Sequence, residues 1–164
     1  MKRILRLAAA VLGFAALLCG CGIINSSDEE TDALYRAIIA SIEADDADAL
    51  RNLFSEEALE KCTDFEAGFA YTVETYKGTL VEMKPVSYTE DAHYDKGRHA
   101  KEARALYTIE TTEQSYFLYV CFFPSDTIEP AREGVYRVIL LNDRAEKSYD
   151  SYAGVYNPGW DEAV

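Results

Sequence analysis

The chain has no G-x-S-x-G, no Ser-x-x-Lys, no phosphate-binding loop and no glycine-rich dinucleotide fingerprint. The common routes to an activated serine or a cradled nucleotide are therefore missing. Histidine occurs only twice, at His93 and His99, so Cys62 and Cys121 have no base close to them in the chain. No apolar run is long enough to span a bilayer: Leu7 to Leu18 covers 12 residues, against the roughly 18 that a spanning helix needs. No repeat of a length typical of solenoids or propellers is visible. Basic residues are scarce, 16 against 29 acidic ones, for a formal charge of −13. A field of that sign repels phosphate backbones and anionic lipid headgroups, which argues against a nucleic-acid partner.

The N-terminus holds what the rest lacks. Lys2, Arg3 and Arg6 precede the apolar run, which ends at Leu18-Cys19-Gly20-Cys21-Gly22. A basic start, an apolar middle and a small residue before the cut make a secretory signal. Leu18 three places before Cys21, with Gly20 directly before it, resembles the lipobox of bacterial lipoproteins. The resemblance implies cleavage before Cys21, a diacylglyceryl group on its sulfur, and a mature protein lipid-anchored on the extracytoplasmic face of the cell membrane. Two acyl chains give stable anchoring where one does not. The expected organisation is a signal peptide over 1–20, the lipidated cysteine and a short tether over 21–27, and one domain over 28–164. Cleavage removes three cations and takes the formal charge from −13 to −16.

Of the remaining cysteines, Cys62 and Cys121 sit in a compartment where a disulfide can persist. They permit one bridge, which requires a Cα separation of about 4.4–6.8 Å that sequence cannot supply. Two inert buried thiols are the alternative, and the favoured one, because free cysteine is among the most buried residue types.

The periodicity predicts helices first and strands after them. Ser27-Asp28-Glu29-Glu30 has the form of a capping box, and Leu34, Ile38 and Ile42 recur at four-residue steps behind it. A short helix should follow the acidic stretch at Asp45–Asp48, carrying Leu50, Leu53 and Phe54. Thr63-Asp64-Phe65-Glu66 heads a third helix with Phe65, Phe69, Val73 and Tyr76 on one side, stopping near Gly78. Residues 79–88 read as a strand, with Pro85 pointing to an edge or a bulge. Residues 90–101 read as a polar loop. Residues 105–111 and 115–123 form a hairpin, 124–133 a longer connection, and 135–141 a last, nearly continuous apolar strand. The aromatic C-terminal stretch from Asn142 is expected to lie across the domain or fray. This order specifies an α+β fold, N-terminal helices packed on a curved antiparallel sheet of about four strands.

Asp48-Ala49-Leu50-Arg51-Asn52-Leu53-Phe54-Ser55 resembles the D-x-L-x-x-L-F-S opening of a family of lipoproteins from Gram-positive bacteria, domain-of-unknown-function family 5104. Tyr107-Thr108-Ile109-Glu110-Thr111, Tyr116 and Gly134-Val135-Tyr136 resemble its Y-x-I-x-T, Y and G-x-Y strand signature. The resemblance covers about residues 30–160. It implies a relationship to the nuclear-transport-factor-2-like cone and brings no established activity, hence no catalytic residues.

Three groups of side chains invite a chemical reading. Glu90, Asp91, His93, Asp95 and His99 supply zinc-type ligands, but their spacing matches no metal motif. Asp45, Asp46 and Asp48 would need a glycine where Arg51 stands to form a calcium loop, and helix capping explains them better. Tyr107, Tyr116, Tyr119 and Tyr136 lie on predicted strands, where aromatic walls could line a pocket and where Glu110 or Asp64 could act as an acid beside a tyrosine. Tyrosine in strands more often packs with a satisfied hydroxyl. The expectation is thus a membrane-anchored lipoprotein without a cofactor, metal or catalytic residue, whose domain binds a small ligand or an envelope protein. A small isomerase- or hydrolase-like enzyme using the cone cavity, and a purely structural interaction module, are the two rivals.

Overall fold

The computed structural model describes residues 27–62 and 64–142, together with the backbone of 152–155. The expected signal peptide, Cys21 and most of the aromatic C-terminal stretch lie outside the described residues. The described order is α1 (Ser27–Glu43), α2 (Ala47–Arg51), α3 (Glu56–Lys61), α4 (Phe65–Thr75), β1 (Leu80–Asp95), β2 (Arg98–Thr111), β3 (Ser115–Asp126), a single 3₁₀ turn (Pro130–Arg132), β4 (Gly134–Asn142) and β5 (Tyr152–Val155). Helices precede an antiparallel sheet in which each strand pairs with the next, in the order β1-β2-β3-β4-β5. The fold is α+β.

Helix α1 buries Tyr35, Ile38, Ile39 and Ile42. These recur at the three- and four-residue steps that place side chains on one helical stripe. Asp46 caps α2 by accepting from the Ala49 N–H at 2.8 Å, and Asp48 lies in the first turn of the same helix. Ser55 caps α3, a helix absent from the periodicity reading because six residues are too few to show a stripe. Asp64 caps α4 through the Ala67 N–H, and α4 buries Phe65, Phe69 and Thr72. Gly78 lies beyond the helix end, with φ +83°, in the turn that leads to β1.

One face of the sheet packs on these helices. Ala103, Ala105, Tyr107 and Ile109 of β2, Tyr116, Leu118, Val120 and Phe122 of β3, and Val135, Val138 and Leu140 of β4 join the helical residues in one buried cluster. The step of two in β2 and β3 is the pleat of a strand with one face buried. Burying each large aliphatic chain contributes about 1.5–3 kcal/mol before entropy is set against it.

The 90–101 segment is not a loop. β1 runs on to Asp95, turns at Lys96-Gly97 and returns as β2 from Arg98, so the two strands pair from Leu80↔Thr111 to Asp95↔Arg98. Both turn residues have positive φ, 50° and 85°, the signature of the two-residue turns whose twist suits a hairpin. The polarity that suggested a loop is that of a hairpin arm whose β1 half is exposed on both faces. Cross-strand ion pairs, Lys101–Glu90 at 3.0 Å and Arg104–Asp91 at 3.2 Å, replace apolar packing there. Pro85 sits at a register shift on the edge strand, as its missing N–H requires. Among the described residues, no helix is long and apolar enough to cross a membrane.

Candidate functional site

Strand alternation sorts the outer end of the hairpin into two faces. Asp91↔Glu102 and His93↔Ala100 are cross-strand pairs facing away from the helices, and Ala100 in turn pairs with Asp126 of β3. The chain leaving β3 folds back over this end through Ile128, Glu129 and the 3₁₀ turn. Between the two lies a cleft of about 390 Å³ lined by Asp91, Ala92, His93, Ala100, Glu102, Phe123, Asp126, Ile128, Glu129 and Arg132.

Asp126 organises the cleft. It is fully buried, and its Oδ1 accepts from the Ile128 N–H at 3.0 Å and the Glu129 N–H at 2.7 Å, which turns the chain after β3. Its own N–H donates to Glu133 at 2.8 Å. Oδ2 has no hydrogen-bond partner among the described residues, and the nearest cation, Arg132 Nη1, stands 3.9 Å away. Arg132 is shared among Glu57 at 3.5 Å, Glu129 at 3.5 Å and Asp126, with its guanidinium 4.3 Å above the Phe123 ring. Three carboxylates therefore converge on one arginine, and every one of the arginine's ion-pair contacts is long.

The other candidates are dispersed. Glu90 pairs with Lys101, which holds its carboxyl below the usual range, and Asp95 pairs with Arg98 at 3.2 Å. His99 sits on the opposite face from His93, its Nε2 2.8 Å from Ser125 Oγ. No group of three metal-type ligands forms among the described residues. Tyr107 and Tyr116 are buried. The Tyr107 hydroxyl donates to Asp32 at 2.7 Å, and that of Tyr116 to the Thr75 carbonyl at 2.9 Å. The acid beside a strand tyrosine is thus Asp32 of α1. Glu110 bonds Ser115, and Asp64 caps α4. Tyr119 is half-buried on the face away from the helices, and Tyr136 has Lys61 over its ring.

A family model described as a domain of unknown function (DUF5104) matches residues 37–143. The chain belongs to that family. The matched span of this DUF5104 protein runs from within α1 to the end of β4 and holds every residue of the cleft. No curated protein matches the chain.

Both cysteines of the domain are free thiols. Cys62 packs against the core cluster, whereas Cys121 is buried on the other face of the sheet with its Sγ 3.5 Å from Glu102. Burial first, and then the Glu102 carboxylate, push the Cys121 thiol up to about 12. Folded protein is expected to resist iodoacetamide at Cys121 at pH 8 and to take up one label there in denaturant, as read by peptide mass. The same shift ties stability to pH. Above an ordinary thiol value of 9.0 the unfolded chain loses this proton, while the folded chain keeps it up to about 12. Stability therefore falls as pH rises through that window. Burial also raises Tyr35, Tyr76 and Tyr119, which adds in the same direction. Melting temperature should decline steadily above about pH 9; a flat profile up to pH 11 would contradict these burials.

The sequence reading missed Asp126, Phe123 and Arg132 as a unit because residues 124–133 looked like an ordinary connection. The only available signal was Asp126-Thr127-Ile128-Glu129, a carboxylate followed by the N–H groups it can cap, and that pattern is common in turns.

Proposed function

We propose that the protein is a bacterial envelope lipoprotein, lipid-anchored through Cys21 after removal of residues 1–20, whose DUF5104 domain is a non-catalytic binding module for a small ligand. The observation that carries the binding role is the cleft at the hairpin end, concave, walled partly by Phe123 and Ile128, and floored by a fully buried carboxylate with one oxygen unbonded among the described residues. The anchor rests on the basic start, the short apolar run and the residues around Cys21. The helices-then-sheet order and the strand motifs are what a relationship to the nuclear-transport-factor-2-like cone would give.

Substituting Cys21→Ser tests the anchor. In cells fed a radiolabelled fatty acid, the native chain should carry label and sediment with membranes, and the variant should lose both. Label on the variant, or its continued sedimentation, would refute acylation at Cys21.

The enzymatic rival draws on two contacts, Tyr107 with Asp32 and His99 with Ser125. Neither pair lines the cleft, and Tyr107 is 3% exposed, so binding is preferred to turnover. The rival of a structural interaction module draws on Val81, Val86, Tyr88 and Tyr94, large exposed side chains of the edge strand β1.

A further inference from the structure

The identity of the ligand's recognised group follows from how poorly Arg132 is held. Its guanidinium lies over the Phe123 ring at 4.3 Å, a site that attracts a flat cation. Around it stand Asp126 Oδ2 at 3.9 Å, Glu129 Oε2 at 3.5 Å and Glu57 Oε2 at 3.5 Å, and its buried Nε has no hydrogen bond among the described residues. Charge-assisted bonds between guanidinium and carboxylate close to about 2.7–2.9 Å where geometry allows. Here the side chain is tethered at the 3₁₀ turn and reaches none of its three carboxylates at that distance. Asp126 is therefore fully buried, fixed by two backbone N–H groups through Oδ1, and left without a close cation at Oδ2. That arrangement costs free energy that a better-placed donor would recover.

The charges of the lining point the same way. Asp91, Glu102, Asp126 and Glu129 face one arginine. Asp91 and Glu102 also pair outward with Arg104, at 3.2 Å and 2.7 Å, which leaves Asp126 and Glu129 as the acceptors on the Arg132 side. Ala92, Ala100, Phe123 and Ile128 supply the apolar wall.

We propose that the cleft is a receptor for a small planar organic cation, an amidinium or guanidinium on a short apolar body, and that Arg132 holds its place in the ligand-free chain. The incoming cation lies over Phe123 and donates to Asp126 Oδ2 and Glu129, while Arg132 moves aside towards Glu57 and solvent. Arg132 is then an internal competitor, and removing it strengthens binding. An arginine that gripped an anionic ligand would act with the opposite sign. This inference rests on the binding role proposed above and names the chemistry that role would recognise.

Benzamidine, with neutral benzamide as its isostere, tests the idea on the full chain by amide chemical-shift titration. Benzamidine should perturb residues 91–102 and 123–132 saturably, and benzamide should bind at least about tenfold more weakly. Glu129→Gln, on the exposed rim, should weaken benzamidine about three- to tenfold, and Arg132→Gln should tighten it. Asp126→Asn should abolish binding while its remaining oxygen still accepts from the 128 and 129 amides. If that variant does not fold, the rim and arginine variants decide. Absence of benzamidine shifts in these segments, or weaker binding by Arg132→Gln, overturns the inference. Equal binding of the two probes in the cleft also overturns it, yet leaves the domain a ligand-binding module; failure of both probes to reach the cleft counts against that module too.

Discussion

Tyr35→Ala is expected to remove about 4 kcal/mol of stability, measured as the free energy of urea-induced unfolding. Tyr35 is fully buried on α1 and stacks on Tyr107 with ring centroids 4.0 Å apart. Its hydroxyl donates to the Ala105 carbonyl at 2.6 Å, so one side chain ties the first helix to the second strand through packing and a hydrogen bond at once. Truncation leaves a cavity the size of a ring in a rigid region between a helix and a sheet, where collapse is limited. Tyr35→Phe keeps the ring and leaves only a carbonyl short of a donor, so its cost should be about 1 kcal/mol. A domain of this size holds about 5–15 kcal/mol in total. The alanine variant should therefore lose a large share of that total, and the phenylalanine variant a small one. A loss below about 2 kcal/mol for alanine would show that α1 is not clamped to the sheet in this way.

Gly134→Ala should cost about 3 kcal/mol by the same assay, far more than an alanine substitution at an ordinary glycine. Gly134 opens β4 with φ +120°, where a side chain is strained, and a Cβ would stand 3.0 Å from both Leu53 O and Ser55 N. That close approach exists because the Leu53–Ser55 backbone bonds to β4. Val135 N–H donates to Leu53 O at 2.8 Å, and Ser55 N–H donates to Val135 O at 2.9 Å. A methyl group would strain Gly134 and prise these two bonds apart. Gly97→Ala is the contrast. Its φ is also positive, at 85°, but no atom lies within 4 Å of the added carbon, so only the left-handed backbone penalty of about 1–2 kcal/mol applies. Equal losses at the two positions would mean that the contact between β4 and the α2–α3 connection does not hold.

These two residues mark the boundary between what the chain's letters disclose and what they conceal. Periodicity placed α1 and α4 because an amphipathic helix must repeat its apolar residues every turn. Runs of β-branched and aromatic residues either side of a short turn placed β3 and the inner half of β2, and a nearly continuous apolar run placed β4. Those signals failed for residues 90–101, where β1 is exposed on both faces and carries no apolar pattern. The pairing Lys101–Glu90 and the turn at Lys96-Gly97 hold that arm, and neither is an apolar signal. Gly134 stood in the sequence only as the first letter of a G-x-Y signature. Only the neighbouring backbone, brought there from some eighty positions earlier, shows why no other residue fits.

The cleft was the least legible part. Its members come from residues 91–102 and 123–132, two stretches that sequence reading assigned to a loop and a connection. The polar grouping around His93 was visible, but one-dimensional proximity joined it to His99, which strand pleating sends to the other face, and to Asp95, which pairs with Arg98 beside the turn. Composition and order determined an acidic chain with a basic and then apolar start, helices first and an antiparallel sheet after them, because charge, hydropathy and period are local properties. Tertiary structure alone decided that Asp126, Glu129, Phe123 and Arg132 meet the outer face of the β1–β2 hairpin. Burial of a carboxylate and its distance from the nearest cation depend on how separate strands register, and no short stretch of sequence encodes that.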